Sequence, residues 1–278
     1  MAETWFSQEP PPPTTKFTTA DWWRIVRRAL PLIVVVFGGL ILLLLVRLVE
    51  RPLHGMYRPW TPGITVKVCR ISLWLLGLSV KVEGELLNGV GAMVANHTSW
   101  LDIFTLNALD RLYFVSKAEV SKWPGIGWLA RATGTVFIKR ERVKARGQVA
   151  MFQNRLKAGH RLLFFPEGTS TDGHQVLPFK PTLFAAFFDA SLRPGIQIQP
   201  VTVRYIPSPG SDPRVYGWWG DMEFGPHLLS TLAIAAPGRI EVILQSPVKV
   251  YDFPNRKALA SALEQTVRNG LMRDSRTE

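Results

Sequence analysis

The feature that most constrains this chain is an uncharged apolar run, ALPLIVVVFGGLILLLLV, from Ala29 to Val46. As a helix rising ~1.5 Å per residue it spans roughly 27 Å, close to the ~30 Å hydrocarbon core of a bilayer. Arginines flank it on both sides and can reach the interface, which leaves the orientation open; they are Arg24, Arg27, Arg28, Arg47 and Arg51. The run is too long for a signal peptide. It predicts an N-terminal transmembrane anchor over residues 21–52, with a buried core helix as the alternative.

The segments on either side of this run differ from it. Residues 1–20 contain the sequence EPPPPTTKFTT. Because a proline run cannot enter a helix and little here can be buried, they predict a disordered tail. Beyond the run, apolar residues recur at intervals of three and four; they are Ile64, Val68, Ile71, Leu75 and Leu78. This stripe predicts a helix within residues 53–80 that lies in the membrane interface, with an ordinary core helix as the alternative.

From Ser79 onward, short apolar strands alternate with helices. Strand candidates cover residues 80–84, 92–96, 111–116, 134–140, 161–166, 196–205 and 239–245. Helix candidates cover residues 99–108, 144–158, 179–190 and 257–270. Several strands are apolar throughout, as expected for a sheet that is covered on both faces. The pattern predicts an α/β fold: one layered domain over residues 81–256 with a central, mostly parallel or mixed sheet, followed by a C-terminal helix and tail over residues 257–278.

The charge of the chain narrows its partners. The formal net charge is +12 and 47% of the residues are hydrophobic, which indicates a basic protein that meets anionic partners and touches lipid. No zinc-finger, RNA-recognition or helix-turn-helix pattern is present, so we predict no nucleic acid. Basic residues beside apolar helices favour membrane lipids or an acidic carrier instead. The single cysteine, Cys69, excludes an intramolecular disulfide.

The stretch NHTSWLD follows a predicted strand and carries the first candidate site. Ser99 is a good N-cap and Asp102 lies three residues on, so both can cap the next helix. Capping gives no reason for His97, which lies just outside the helix. If the chain turns back at this junction, the Asp102 carboxylate can bind one imidazole nitrogen and leave the other as a base near neutral pH. The stretch therefore predicts a His97–Asp102 general-base pair, with capping alone as the alternative.

The sequence has no recognisable enzyme nucleophile for such a base to activate. There is no G-x-S-x-G elbow, and Cys69 lies in the membrane-proximal segment. A base without an enzyme nucleophile is suited to direct deprotonation of a substrate hydroxyl. A metal at His97 and Asp102 would lack further ligands at a recognisable spacing, so we predict no metal and no cofactor.

The second candidate site is the stretch FFPEGTSTDGHQVLPFK over residues 164–180. An apolar strand runs into a Glu-Gly-Thr turn, where glycine lets the backbone approach a ligand closely. Glu167 can orient a hydroxyl, and Lys180 offers a point charge. By itself, this stretch also fits a polar loop between a strand and a helix.

Together these motifs resemble a known family. NHTSWLD, GTVFIKR, FPEGTS and IQPVTV occur in the order and roughly the spacing of the four motifs of the lysophospholipid acyltransferases, the relatives of 1-acyl-glycerol-3-phosphate acyltransferase. The resemblance covers about residues 80–250 and implies an α/β enzyme that moves an acyl group from a thioester carrier to a lysolipid hydroxyl. It implies that His97 is the general base and Asp102 its orienting partner. Residues that would bind the acceptor are Arg140, Glu167, Gly168 and Thr169.

Within that family, the stretches EGTSTDG, LPFKPTLF and YGWWGDMEFGPHL are similar to the lyso-ornithine lipid O-acyltransferase branch. Members that use phosphate acceptors typically carry arginine after Glu-Gly-Thr, where this chain has Ser170. Serine lacks the charge and the paired donors with which arginine grips a phosphate, although Arg140, Lys139 and Lys180 can compensate. We therefore add Ser170 and Lys180 to the candidate substrate-binding residues.

The resemblance also implies the partners and the place of the enzyme. It implies a lysolipid acceptor, most of all lyso-ornithine lipid, and an acyl carrier protein thioester or acyl-CoA as the donor. The catalytic domain is expected on the cytoplasmic side of the cell inner membrane. Two alternatives stay open: a lysophosphatidate acyltransferase and a catalytically silent membrane protein that binds lipid.

Overall fold

A computed structural model of the chain describes residues 4–12, 16–89, 91–123, 125–138 and 145–273. Within these residues the α-helices are α1 (Thr19–His54), α2 (Thr61–Leu76), α3 (Leu101–Leu109), α4 (Ile126–Thr133), α5 (Ala145–Lys157), α6 (Phe224–Ala233) and α7 (Arg256–Met272). Short 3-10 helices cover Ala118–Lys122, Pro181–Phe188 and Val250–Asp252. The strands are β1 (Ser79–Glu83), β2 (Gly91–Ala95), β3 (Leu112–Lys117), β4 (Val136–Ile138), β5 (Arg161–Phe164), β6 (Gln197–Ile206), β7 (Arg239–Leu244) and β8 (Val248–Lys249).

The described strands form one mixed sheet in the order β1-β7-β6-β2-β5-β3-β4, with β8 paired to β6. The pairs run parallel except β6 with β7 and β6 with β8, which are antiparallel. Strand β2 lies between β5 and β6, and all five of its residues are buried. The prediction of an α/β fold with a mostly parallel or mixed sheet is confirmed. In parallel sheets the loops at the carboxyl ends of the strands carry the ligand sites, and β2 points its carboxyl end at His97.

Apolar side chains cover the two faces of the sheet. One core contains residues of α1, α2, α3 and α6, including Leu73, Leu101 and Leu232. The other contains residues of α5, α7 and the 3-10 helix Pro181–Phe188, including Phe152, Phe184 and Leu259. Strand residues alternate between these cores: Met93 and Ala95 belong to the first, Ala92 and Val94 to the second.

Helix α1 is the one helix among the described residues that is long and apolar enough to cross a membrane, and only 11% of its most apolar stretch is buried. A capping box sets its start: Thr18 Oγ1 accepts a hydrogen bond from the Asp21 amide at 3.3 Å, and the Asp21 carboxylate accepts one from the Thr18 amide at 2.8 Å. Two of the arginines expected to reach the lipid interface bind protein instead. Arg24 and Arg28 donate to the last carbonyl groups of α6, at 2.8 Å from Ala233 and Leu232, where a helix end favours a positive charge.

Helix α2 packs against both α1 and α3. Cys69, Leu73 and Leu76 are buried, whereas Ile71 and Trp74 on the same helix are exposed. Gly77 ends the helix in the left-handed conformation, at φ 76°. The helix therefore has one face in the protein core and one that can meet lipid, and its interfacial role stays a prediction.

Within residues 4–12 the N-terminal tail contacts the domain surface, and the prediction that residues 1–20 are disordered stays a prediction. The Trp5 ring lies 6.3 Å from the Trp219 ring, and the Glu9 carboxylate forms an ion pair with Arg214 at 3.0 Å. Prolines prevent a helix here, but an extended chain can still place an aromatic ring and a carboxylate against the domain surface. The limits of the tail, the anchor and the domain stay as proposals.

All seven predicted strands are present, with shifted ends, and β8 was missed. Helices α4 and α6 were also missed, because glycine and proline usually indicate loops. Gly125 and Gly134 flank α4, and Gly225 and Pro226 lie in the first turn of α6. The helix expected over residues 179–190 is the 3-10 helix Pro181–Phe188.

Candidate active site

His97 lies directly beyond the carboxyl end of β2. The preceding Asn96 is buried, and its side chain fastens the end of β2 to β6: the amide nitrogen donates to the Val203 carbonyl at 2.9 Å, and the oxygen accepts from the Val203 amide at 2.8 Å. These bonds fix the backbone next to His97. The imidazole itself is 21% exposed, so part of the ring is open to solvent.

Asp102 binds His97 as the sequence predicts. Its Oδ2 lies 2.8 Å from His97 Nδ1, and the Asp102 side chain has no exposed surface. The same oxygen accepts hydrogen bonds from the amides of Thr98 at 2.8 Å and Ser99 at 3.0 Å. Asp102 thus orients the imidazole and also holds the turn that precedes α3. With Nδ1 occupied, Nε2 is the nitrogen left for a substrate.

The expected cap at Ser99 is wrong. Helix α3 begins at Leu101 and has no side-chain cap, and the Ser99 hydroxyl is buried with no hydrogen-bond partner. Asp102 makes one half of a capping box, since its carboxylate accepts the Ser99 amide, but the reciprocal bond from the Asp102 amide to the Ser99 hydroxyl is not formed.

Tyr205, near the end of β6, is a site residue that motif reading missed. Its hydroxyl donates to Asp102 Oδ1 at 2.7 Å and lies 3.3 Å from Thr105 Oγ1. Burial, together with the charge of Asp102, holds the pKa of Tyr205 well above its usual range, so the phenol stays a donor. The signal was available, because β6 was predicted to end here and an adjacent parallel strand brings its end to the same edge of the sheet.

An aromatic wall limits how the imidazole can turn. The Phe165 ring stacks on His97 with centroids 4.0 Å apart and planes at 9°. Phe165 follows β5, the neighbour of β2, so the sheet order places the two rings together. Stacking on one face and Asp102 at one edge leave the Nε2 edge and one face open.

Glu167 lies in the interior beside His97, and its role in binding the acceptor stays a prediction. It is 1% exposed. Its Oε1 accepts the His97 amide at 2.7 Å and its Oε2 accepts the Leu177 amide at 2.8 Å. Burial raises the pKa of Glu167 to about 8, against the opposing effect of these two amide hydrogen bonds. Glu167 therefore supports the backbone of His97 and ties it to the 165–180 loop.

The other candidates of this loop are placed differently. Gly168 has φ 76° and closes a turn in which its amide donates to the Phe165 carbonyl at 3.1 Å. Thr169 is half-buried beside it, and the half-buried Lys180 donates its amide to the Pro166 carbonyl at 3.0 Å. Arg140, with Lys139, lies outside the described residues.

Ser170 joins this loop to a second one. Its hydroxyl donates to the Trp218 carbonyl, and the Trp218 amide donates to the Thr98 carbonyl at 2.9 Å. The Thr171 amide donates to the His97 carbonyl at 2.9 Å. The loops around residues 170 and 218 thus enclose the His97 backbone from two sides, a contact that no spacing in the sequence reveals.

This geometry fits one chemical class. The imidazole pairs with a buried carboxylate, and among the described residues no serine, threonine or cysteine side chain bonds to the ring as a nucleophile would. A histidine base of this kind can remove a proton from a substrate hydroxyl directly. Such a site is suited to a transferase that activates the hydroxyl of its acceptor rather than a side chain of its own.

Comparisons with known proteins agree. A family model described as Acyltransferase matches residues 79–204. The lyso-ornithine lipid O-acyltransferase of Rhodobacter capsulatus is 60% identical over 231 residues, which are 83% of this chain and 84% of that protein. The enzyme of the same description from Brucella abortus is 39% identical over 209 residues, 72% of this chain and 78% of that protein.

The fold also has a solved counterpart. The crystal structure of the 1-acyl-sn-glycerophosphate acyltransferase PlsC from Thermotoga maritima matches with a TM-score of 0.66 at 21% identity, over 92% of this chain and 98% of that one. The chain belongs to the lysophospholipid acyltransferase family, among the relatives of 1-acyl-glycerol-3-phosphate acyltransferase. It is therefore an acyltransferase of lipid biosynthesis, and its apolar N-terminal helix fits a membrane protein.

Proposed function

We propose that this enzyme acylates the hydroxyl of a lyso-ornithine lipid, with an acyl carrier protein thioester or acyl-CoA as the donor. The observation that carries the proposal is the His97–Asp102 pair, in which Nδ1 is occupied and Nε2 faces the open side of the ring. The activity named for the Rhodobacter capsulatus relative supports the choice of acceptor.

In the proposed reaction, His97 Nε2 takes the proton of the acceptor hydroxyl, and the oxygen attacks the thioester carbonyl carbon. Asp102 stabilises the imidazolium that forms. As the tetrahedral intermediate collapses, the C–S bond breaks and the imidazolium returns its proton to the leaving thiolate. An ester and a free thiol result, and the base is restored.

Two features of the site favour a zwitterionic head group over a phosphate. Ser170 stands where phosphate users carry arginine, and its hydroxyl donates to the Trp218 carbonyl. Both signs of charge lie near Ser170, on Asp172, Asp212 and Arg214. Hydrogen bonding to Asp212 raises the pKa of Arg214, and the charge of Asp172 contributes to the same shift, so these groups lie close together. A head group with a carboxylate and an ammonium finds partners for both.

A competition assay tests the acceptor, with lyso-ornithine lipid and lysophosphatidate at equal concentration and one donor. The parent enzyme should acylate lyso-ornithine lipid preferentially. Ser170→Arg should shift the ratio toward the phosphate acceptor by about 10- to 150-fold, since one charge-assisted hydrogen bond contributes ~1.5–3 kcal/mol.

Ser170→Ala is the matched control, because it removes the bond to the Trp218 carbonyl without adding a charge. It should lower the rate with both acceptors and leave their ratio unchanged. Preferential acylation of lysophosphatidate by the parent would overturn the proposed acceptor and leave acyl transfer intact. Equal shifts in the two variants would mean that residue 170 does not face the head group.

We further propose that the enzyme sits in the cell inner membrane with its catalytic domain in the cytoplasm. Both donors are anionic and cytoplasmic, and the net charge of +12 favours their approach. A membrane-impermeant thiol reagent tests this with a cysteine at the exposed Tyr251: it should react in inverted membrane vesicles and stay protected in intact spheroplasts, whereas the reverse would overturn the orientation.

A further inference from the structure

Two tryptophans outside the anchor are exposed near the active site. Trp123 is 43% exposed and Trp128 is 58% exposed. Together with the exposed Lys122 and Arg131, these tryptophans form the α4 surface. We propose that the α4 surface lies in the head-group region of the bilayer and seats the active-site mouth on lipid, as a second membrane contact beside the N-terminal helices.

The local packing forces these tryptophans outward. Gly127 is buried so close to the preceding turn that a Cβ there would lie 2.3 Å from the Ser121 carbonyl oxygen. Trp128 comes one residue later, about 100° further round the helix, and the exposed Arg131 lies between the two faces, with one guanidinium N–H donated to the Ser121 carbonyl. The inner face of α4 therefore packs against the turn at Ser121, and the outer face exposes an indole with a cation beside it.

The α4 surface continues the membrane-facing side of the molecule. Helix α4 packs against both α1 and α2. Arg58, in the link between those two helices, donates to the Ala132 carbonyl at the end of α4 at 2.9 Å. Helices α1 and α2 expose their own apolar side chains, including Leu45 and Trp74. A bilayer that surrounds α1 and α2 would therefore also contact α4, which lies next to them.

The same surface adjoins the site. The Trp123 ring lies edge-on to the Trp218 ring, with centroids 6.4 Å apart and planes at 85°, and the Trp218 amide binds the Thr98 carbonyl beside His97. A lysolipid is anchored in the leaflet by its chain. If this side of the domain rests on the bilayer, the hydroxyl of the lysolipid can reach His97 while the lysolipid stays in the leaflet.

The chemistry of the surface selects the occupant. Tryptophan prefers the boundary between head groups and acyl chains, and Lys122 and Arg131 match anionic head groups. An acidic carrier protein would also be drawn to the cations, but continuity with α1 and α2 favours the bilayer. The inference goes beyond the proposed function and does not depend on the acceptor.

The first test uses the full-length enzyme in vesicles of phosphatidylcholine and phosphatidylglycerol. Trp128→Cys carries a fluorescent label, and Tyr251→Cys is the matched control, since Tyr251 is 67% exposed and follows Val250, which packs in the same core as α7. The native Cys69 is buried. Lipids with a nitroxide near the head group should quench the label at 128 several-fold more than the label at 251.

Equal quenching at the two positions would overturn the proposal. So would a label at 128 that ignores the nitroxide lipid and responds only to added acyl carrier protein, because the surface would then be a protein-docking site.

A kinetic test stands even if the cysteine variant fails to fold. Trp128→Ser should raise the KM for lysolipid presented in vesicles about tenfold, because it removes the apolar contact that the indole makes at the membrane interface. Its KM for the same lysolipid in detergent micelles should not change, and Trp128→Phe should restore most of the loss. An unchanged KM in vesicles would overturn the inference.

Discussion

Tyr205→Phe removes one hydroxyl from the site and leaves the ring in place. That hydroxyl donates to Asp102 Oδ1 at 2.7 Å, while Oδ2 accepts His97 Nδ1 and two backbone amides. Without it, one oxygen of a fully buried carboxylate has no donor and the carboxylate can tilt about its remaining contacts. We expect Tyr205 to act as a positioning residue for the His97–Asp102 pair.

The size of the effect follows from the burial of Asp102. A hydrogen bond to a charged group contributes ~1.5–3 kcal/mol, and water cannot replace a donor at a side chain without exposed surface. The free energy of unfolding should fall by about that amount. Since each ~1.36 kcal/mol of barrier is tenfold in rate, the loss in kcat is bounded at about 10- to 150-fold. The KM should stay unchanged, because the hydroxyl of the half-buried Tyr205 contacts Asp102 and not the open edge of the imidazole.

Tyr216→Phe is the matched control. Tyr216 is buried, its ring centroid lies 5.6 Å from that of Tyr205, and its hydroxyl donates to the Pro237 carbonyl, away from Asp102. Both variants should lose stability in thermal unfolding, but only Tyr205→Phe should lose kcat in a thiol-release assay at saturating substrates. Equal losses of kcat in the two variants, or a loss seen only in the KM of Tyr205→Phe, would refute the positioning role.

The remaining predictions concern four other residues. His97→Ala should abolish acyl transfer in a folded, membrane-bound protein, since a general base contributes ~10²–10⁴-fold; a thiol-release rate at a tenth of the parental value would contradict the assignment. Asp102→Asn should cost a similar factor, and near-normal turnover would reduce Asp102 to a helix cap. Glu167→Gln should remove a pH dependence of stability. The folded pKa of about 8 exceeds the ordinary glutamate pKa of 4.5, so this group stabilises the fold at low pH and that stability is lost between about pH 4.5 and 8, by up to ~5 kcal/mol. Parallel curves of Tm against pH for parent and variant would argue against it. Gly173→Ala should destabilise by ~1–3 kcal/mol, because φ is 87° and the new Cβ would lie 2.7 Å from the Thr98 methyl group; an unchanged Tm would show that the loop moves freely.

The sequence predicted the sheet because its signal is local. Each strand is a short apolar run, and burial on both faces requires such a run. Short helices with breakers in them carry no such signal, so α4 and α6 were missed. The segment Pro181–Phe188, which was predicted as part of a helix over residues 179–190, winds as a 3-10 helix.

The site divides in the same way. His97 and Asp102 are five residues apart, and the strand-to-helix junction brings them together, so spacing alone was informative. The bond from the His97 amide to Glu167 joins residues 70 apart, and the contact between Ser170 and Trp218 joins residues 48 apart. Motif reading marked Glu167 and Ser170 as important, but it could not show that Glu167 accepts the His97 and Leu177 amides or that Ser170 binds the Trp218 carbonyl.

Capping and catalysis, which compete as explanations of Asp102 in the sequence, depend on the same oxygen in the structure. Oδ2 accepts the amides of Thr98 and Ser99 and also faces His97 Nδ1. The two amides fix the direction from which that oxygen can meet the imidazole, so the start of α3 and the geometry of the base form one unit. Any change that moves the first turn of α3 must therefore also move Nε2. The carboxylate therefore holds this turn and orients the histidine at the same time, whereas the buried Ser99 hydroxyl takes no part in either.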